Sequence, residues 1–122
     1  FNGGYTDIFA TKLSAGGDAL LFSTYLGGAD NEAGEGVALD SLNRMVLAGY
    51  TYSSDFPVTP GAFQSTNRGY ADVVVARLSA DGSTLEVATL AGGSAGSSGG
   101  WGDYGKAVAV DAAGRIFVSG HT

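Results

Sequence analysis

A short acidic segment, ADNEAGE from residue 29 to residue 35, carries the side chains of this sequence that are best suited to binding a metal ion. The carboxylates of Asp30, Glu32 and Glu35 are the oxygen ligands that calcium prefers. The segment lacks the ordered ligand spacing of an EF-hand loop, so a solvated acidic loop is the alternative interpretation. We expect the protein to have no cofactor, with calcium at these three residues as the alternative.

Catalytic chemistry has few candidate residues in this chain. His121 is the only histidine and cysteine is absent, which excludes a histidine-based triad within one chain and a cysteine-ligated zinc site. The aspartates Asp7 and Asp72, and Asp40 and Asp111, stand in pairs at matching places beside apolar runs, where such acids usually bond turn amides. We therefore expect a protein that is not an enzyme, and we interpret His121 as a residue at the end of a strand.

Aromatic side chains are the better candidates for ligand binding. Exposed aromatic faces beside acidic groups are what sugar-binding loops offer, so carbohydrate is a candidate partner. The candidates fall in a long connection in the middle of the chain and in a segment near residue 100: Tyr52, Phe56, Phe63, Trp101 and Tyr104.

Composition narrows the possible partners and the fold class. The net charge of −6 comes from twelve scattered acids and six bases, so nucleic acid is not an expected partner. No apolar stretch approaches the roughly 20 residues of a membrane helix, and we expect no membrane insertion. The 21 glycines favour an all-β fold, because glycine is costly in helices. An acidic, lysine-poor composition is common in secreted β proteins, and we expect an extracellular or cell-surface location.

The chain contains two copies of one pattern. TDIFATKLSAGGDALLFSTYLGG, which ends at Gly28, aligns with ADVVVARLSADGSTLEVATLAGG, which ends at Gly93. Further on, GEGVALDSLNRMVLAGYT aligns with GKAVAVDAAGRIFVSGHT, after a Gly- and Ser-rich insert at residues 94–100 of the second copy. We interpret the chain as one domain, 1–122, with repeat one at 5–51, a connecting loop at 52–69 and repeat two at 70–122.

Each copy contains apolar runs of strand length separated by turn signals. The predicted strands of the first copy are Ile8–Leu13, Leu20–Leu26, Val37–Asp40 and Arg44–Tyr50. Those of the second are Val73–Leu78, Leu85–Leu90, Ala107–Asp111 and Arg115–Ser119. Asn43 aligns with Gly114 and Gly17 with Gly82, and these are the residue types that most readily adopt a positive φ. The pattern predicts tight hairpins at these four positions.

Three segments in order resemble the bacterial and archaeal seven-bladed β-propeller repeat, abbreviated SBBP. They are STYLGG at 23–28, the segment from Gly36 to Thr51, and SSDFPVTPGAFQ at 53–64. The second copy departs from the pattern, with ATLAGG and the 94–100 insert. The resemblance implies propeller blades, which are four-stranded antiparallel sheets, no catalytic motif and a secreted or surface protein. It also implies the alternative that Phe56 and Phe63 fill grooves between blades.

If the Gly-Val-Ala-Leu-Asp strand is innermost, as in related propellers, the chain contains half a blade, a whole blade and half a blade. We expect about two blades per chain, with one blade completed between neighbouring chains or by missing sequence. Open β edges pair with other chains. The expected edge residues are Ile8, Phe9 and Leu13 at one end and Ile116, Phe117 and Val118 at the other.

Two functions follow from this organisation. The first is an extracellular structural protein whose copies assemble head to tail into a filament or ring, so that its partner is a second copy of itself. The alternative is a carbohydrate- or surface-binding adhesion module within a larger propeller, for which Trp101 is the foremost anchor because only the second copy contains it.

Overall fold

The computed structural model of the chain describes residues 3–94 and 101–122, and over these ranges the protein is all-β. The strands are β1 (Ile8–Leu13), β2 (Leu20–Leu26), β3 (Glu32–Leu39), β4 (Met45–Thr51), β5 (Asp72–Leu78), β6 (Leu85–Ala91), β7 (Tyr104–Val110) and β8 (Ile116–His121). The predicted all-β class is confirmed. Within the described ranges, no helix has the length and hydropathy needed to cross a membrane. Most of the predicted insert, residues 95–100, lies outside the described residues.

The predicted strands are all present, but β3 and β7 begin earlier than expected. β3 starts at Glu32, because pairing with β4 continues past Gly36 through a bulge, and Glu32 lies opposite Thr51. β7 starts at Tyr104 for the same reason, with a bulge between Gly105 and Ala107. Part of the acidic loop is therefore strand, and Tyr104 is the first residue of β7 rather than a loop residue of the segment near residue 100.

The four predicted hairpin turns are confirmed. Asn43 has a φ of 58° and Gly114 a φ of 80°, while Gly17 and Gly82 both have a φ of 74°. Only glycine, and less readily asparagine, adopts this left-handed conformation without strain. The turns therefore form where the residue types require them.

Asp40 and Asp111 stabilise two of these turns in the same way. Asp40 Oδ1 accepts the amides of Leu42 and Arg44 at 2.9 and 3.0 Å, and its Oδ2 accepts Arg44 Nε at 2.6 Å. Asp111 forms the equivalent bonds with Ala113 and Arg115. These aspartates are structural, as their repeated positions predicted.

Replacing Asp40 with asparagine is expected to destabilise the protein at neutral pH and to have little effect near pH 2. Burial raises the pKa of Asp40, but the bonds from the Arg44 amide and guanidinium outweigh it, so the pKa is lowered overall. Stability linked to a lowered pKa is present above the unfolded value of about 4 and is lost as pH falls through the folded value. Thermal unfolding of both proteins against pH measures this, and a Tm difference that does not change with pH would contradict it.

The strands form one four-stranded sheet flanked by two hairpins. The central sheet has the order β3-β4-β5-β6, and the β1–β2 and β7–β8 hairpins are separate two-stranded sheets. Every pairing is antiparallel. The strand grouping that the repeats predicted is therefore present: two strands, then four, then two.

The central sheet packs between the two hairpins. Because side chains alternate along a strand, Met45 and Leu47 of β4 point to one face and Val46 and Ala48 to the other. The first face belongs to the main apolar core, together with residues of the β1–β2 hairpin. The buried core residues are Ile8, Ala10, Leu26, Met45, Leu47, Phe56, Val74, Ala76, Leu78, Ala88 and Leu90.

The β7–β8 hairpin covers the opposite face of the sheet near β3 and β4. A Cβ placed on Gly36 of β3 would lie 3.2 Å from the Ala107 Cα atom of β7, so backbone packs on backbone there. Val46 and Ala48 have no exposed surface on this side. Small residues on these inner strands therefore allow a close approach of the two sheets.

The connections β2–β3, β4–β5 and β6–β7 meet at one end of the sheets, which we call the connection end. The Tyr52 amide donates to the Asn31 carbonyl at 2.9 Å, and the Asp103 amide donates to the Ala71 carbonyl at 2.7 Å. These bonds tie the three connections to one another. Loops at one end of a rigid sheet are a common place for binding sites.

Candidate functional site

A cluster of tyrosines, Tyr50, Tyr52, Tyr70 and Tyr104, lies at the connection end. The Tyr50 ring contacts Tyr104 edge-on at a centroid distance of 4.7 Å and Tyr52 at 5.7 Å. Tyr52 in turn contacts Tyr70 at 5.0 Å. The Tyr52 and Tyr104 hydroxyls are 3.4 Å apart, and burial together with this contact raises the pKa of Tyr52. Tyr52 therefore stays neutral and able to donate a hydrogen bond in alkaline solution.

His121 and Lys106 extend the tyrosine cluster. The His121 ring stacks on Tyr104 at 5.0 Å, and His121 is the last residue of β8, as its alignment with Tyr50 indicated. Lys106 Nζ lies 5.5 Å from the Tyr50 ring centroid and donates to Glu35 Oε1 at 2.6 Å. This hydrogen bond raises the pKa of Lys106, so its cation persists beside the aromatic rings.

A cleft of about 510 Å³ opens beside the tyrosine cluster. Its walls come from all three connections: Asp30 and Asn31 from the first, Tyr52, Arg68 and Tyr70 from the second, and Ser94 from the third. The Asn31 side chain accepts the Tyr5 amide at 2.6 Å, which fixes one wall. The volume is within the range of small-molecule sites, roughly 300–1,000 Å³.

The aromatic binding candidates have different environments in the structure. Tyr52 and Tyr104 are half-buried in the tyrosine cluster, whereas Trp101 is 73% exposed. Phe63 is 83% exposed, so it fills no groove among the described residues, and filling of a groove between blades by Phe63 stays a prediction. Phe56 is only 4% exposed and belongs to the apolar core, which leaves no ring face for a ligand. Neighbouring phenylalanines of one connection thus differ, because only one of them faces the sheet.

The three acidic residues considered for calcium have separate partners. Glu32 is buried, and its oxygens accept Gly28 N at 3.0 Å, Thr51 Oγ1 at 2.5 Å and Ser53 Oγ at 2.6 Å. Glu35 is paired with Lys106, and Asp30 Oδ1 accepts the Asn31 amides. Across residues 3–94 and 101–122, no group of three or more potential ligands could hold a metal ion. Calcium binding by this segment stays a prediction.

An open groove of about 550 Å³ runs between β1 and the inner half of the central sheet. Ile8 and Phe9 line one side, and Gly34, Val37 and Leu47 line the other. Phe9 is 68% exposed and Val37 is 62% exposed, although both belong to apolar strands. The groove therefore leaves apolar surface and the β1 edge uncovered.

A second open groove, of about 480 Å³, runs between β8 and the outer half of the central sheet. Val73, Val75 and Ala91 line the sheet side, and Val118 and Ser119 line the β8 side. Phe117 and Val118 are exposed, whereas their aligned residues Val46 and Leu47 are buried. The difference arises because β4 lies between β3 and β5, whereas β8 pairs only with β7 among the described residues.

Comparisons with known proteins add no functional information for this chain. No protein-family model matches it, and no curated protein matches it either. The class of protein that the structure defines is therefore an all-β protein of antiparallel sheets.

Sequence reasoning identified the edge strands and two members of the tyrosine cluster, but it missed other residues. Tyr50, Tyr70, Lys106 and Arg68 were not candidates. The alignment of Tyr50 with the lone histidine was a usable signal for Tyr50. Arg68 and Tyr70 had none, because only the fold of the long connection brings them beside Tyr52.

Proposed function

We propose that this chain is an extracellular structural protein whose copies join head to tail by strand complementation. In this proposal β3–β6 form a complete propeller blade of the SBBP type, and β8 of one copy pairs with β1 of the next to complete another. The single observation that carries the proposal is the pairing of β4 with β5 within the chain. The strands that align with β4 and β5 in the other repeat are β8 and β1, and their matching edges are open.

The β4–β5 pairing predicts the register of the contact between copies. In the chain, Leu47 lies opposite Ala76 and Ala48 lies opposite Val75. The repeat alignment transfers this register from β4 and β5 to β8 and β1. The expected pairs between copies are Ile116 with Leu13, Phe117 with Lys12, Val118 with Thr11, Ser119 with Ala10, Gly120 with Phe9 and His121 with Ile8. The expected contact is antiparallel and involves every residue of both edges.

The two open grooves support the same contact. The groove beside β8 exposes Val73 and Val75, the sheet face that a β1–β2 hairpin of the next copy would cover. The groove beside β1 exposes Val37, which a β7–β8 hairpin would cover, as β7 covers Gly36 on the other face. Burying apolar surface contributes about 25 cal/mol per Å², so both coverings favour association.

An engineered disulfide tests the register directly, because the chain has no cysteine. We expect the double variant Thr11→Cys with Val118→Cys to form chains linked in steps of 12.2 kDa under mild oxidation. Residues directly opposite in an antiparallel pair have Cα atoms about 4.5–5.5 Å apart, which suits a disulfide. Non-reducing gel electrophoresis measures the ladder, and both positions are exposed, so neither substitution disturbs the core.

The matched control is Thr11→Cys with Ser119→Cys, in which one cysteine points to the opposite face of its strand. It should cross-link at least about tenfold more slowly than the in-register pair. Equal cross-linking by both pairs, or a monomeric mass for the unmodified chain at micromolar concentration in native mass spectrometry, would overturn the proposal. Native mass spectrometry of material from the natural source also gives the chain mass, and a chain several times heavier would mean that the edges are filled by further repeats of the same chain.

A further inference from the structure

The cleft beside the tyrosine cluster contains hydrogen-bonding groups without a protein partner. The Arg68 guanidinium and the Tyr70 hydroxyl form no hydrogen bond or ion pair with the described residues. Asp30 uses Oδ1 for the Asn31 amides, and its second oxygen has no partner in the same part of the chain. The cleft is therefore lined by the Arg68 guanidinium, the Tyr70 hydroxyl and one Asp30 carboxylate oxygen, and these groups can form hydrogen bonds with a ligand.

The cleft walls are held in place before any ligand binds. The Arg68 amide donates to the buried Asp72 carboxylate at 3.0 Å, and the Asn67 side chain donates to the Thr51 carbonyl at 3.2 Å. The Tyr52 ring is fixed by its contacts with Tyr50 and Tyr70. A site whose groups are fixed in advance loses little conformational entropy when it binds.

The chemistry of these groups indicates a neutral, hydroxyl-rich ligand. One guanidinium and one carboxylate balance in charge, and the net charge of the chain is −6, which disfavours phosphate and other polyanions. Tyrosine faces offer an apolar surface with a polar rim, which matches the C–H face and hydroxyl rim of a sugar ring. We propose that the cleft of Asp30, Tyr52, Arg68 and Tyr70 binds neutral saccharides, with Arg68 and Asp30 bonding the sugar hydroxyls.

This site is independent of the proposed assembly. Its residues belong to the connections, whereas assembly uses the β1 and β8 edges. A chain that fails to cross-link can still bind sugar, and the reverse is also possible. The two proposals therefore fail separately.

The test is an NMR titration of the full chain with cellohexaose, chitohexaose, xylohexaose and mannohexaose, each to about 10 mM. At least one of these should bind, with the largest chemical shift changes at Asn31, Arg68, Gly69 and Tyr70. We expect Tyr70→Ala and Arg68→Gln each to weaken its binding at least about tenfold. Both side chains are exposed and lie outside the core, and circular dichroism checks that the variants fold.

Two exposed aromatic residues outside the cleft lining provide controls. Phe63→Ala and Trp101→Ala should leave the dissociation constant within about twofold. The proposal is overturned if none of the four saccharides binds. It is also overturned if binding survives Tyr70→Ala and Arg68→Gln but is lost in Trp101→Ala, because the site would then lie around Trp101.

Discussion

Replacing Glu32 with alanine is expected to lower the free energy of unfolding by about 3–5 kcal/mol. Glu32 is 1% exposed and accepts the Gly28 amide and the Thr51 and Ser53 hydroxyls. Alanine would leave all three donors buried without an acceptor, each at a cost of about 1–3 kcal/mol, partly offset by rearrangement. Chemical denaturation of the two proteins measures the difference.

Glu35→Ala is the matched control for this prediction, because Glu35 is a carboxylate of the same strand. Its ion pair with Lys106 is partly exposed, so its loss should cost no more than about 1 kcal/mol. Adding Thr51→Val and Ser53→Ala to Glu32→Ala is not expected to recover the lost stability, because the two hydroxyls also accept the amides of Ser53 and Asp30. Equal effects of Glu32→Ala and Glu35→Ala would show that the buried network contributes little.

Replacing Gly49 with alanine should also destabilise the protein severely, by at least about 3 kcal/mol. A Cβ on Gly49 would overlap the Ala33 carbonyl oxygen and lie 3.0 Å from its carbon. Ala33 belongs to β3 and Gly49 to β4, and these strands are adjacent in the central sheet. The backbone of neither residue can move without breaking the β3–β4 pairing. For a chain of this size, the loss corresponds to a fall in Tm of roughly 10 °C or more.

Gly93→Ala is the control for this substitution, because the nearest atom to its Cβ would be an Asp103 oxygen at 3.9 Å. That is an ordinary van der Waals contact, and Gly93 is exposed. The Tm of the Gly93→Ala variant should therefore differ from that of the unmodified protein by no more than about 2 °C. Calorimetry of both variants provides the comparison. A fall of only a few degrees for Gly49→Ala would mean that the β3–β4 bulge adapts and that the glycine is not required there.

Gly120 of the second repeat also leaves no room for a Cβ atom. It aligns with Gly49 in the repeat, and a Cβ there would overlap the Tyr104 carbonyl oxygen in the same way. Both positions lie opposite a bulge, between Gly34 and Gly36 in one repeat and between Gly105 and Ala107 in the other. The duplicated pattern therefore preserves a close backbone approach as well as a strand order.

Much of the fold could be predicted from local sequence. β1 and β2 have the predicted bounds, because each begins and ends with apolar residues and is followed by the Gly or Ser of a turn or loop. Asn43 and Gly114 are in the left-handed conformation because their residue types allow it. The early start of β3 could not be predicted in this way, since AGEG has weak strand propensity and is held in the sheet by pairing with β4.

The candidate sites differ in how far sequence could predict them. The open edges were predictable, because the repeats show which strands have a partner within the chain. The tyrosine cluster was predicted only for Tyr52 and Tyr104, since Tyr50 and Tyr70 reach it from separate parts of the chain. The different environments of Phe56 and Phe63 were not predictable, because burial there depends on how the long connection crosses the sheet.

The sequence by itself determined the all-β class, the hairpin turns and the grouping of strands, because these follow from residue type, alternation and repetition along the chain. Only the tertiary structure determines which polar side chains are hydrogen-bonded within the protein and which line a cleft where a ligand could bind them. Glu32 and Arg68 are both charged residues of the connection end, yet one is enclosed by three donors and the other lines an open cleft. Distances between loops that are far apart in sequence decide that difference, and no local pattern encodes them.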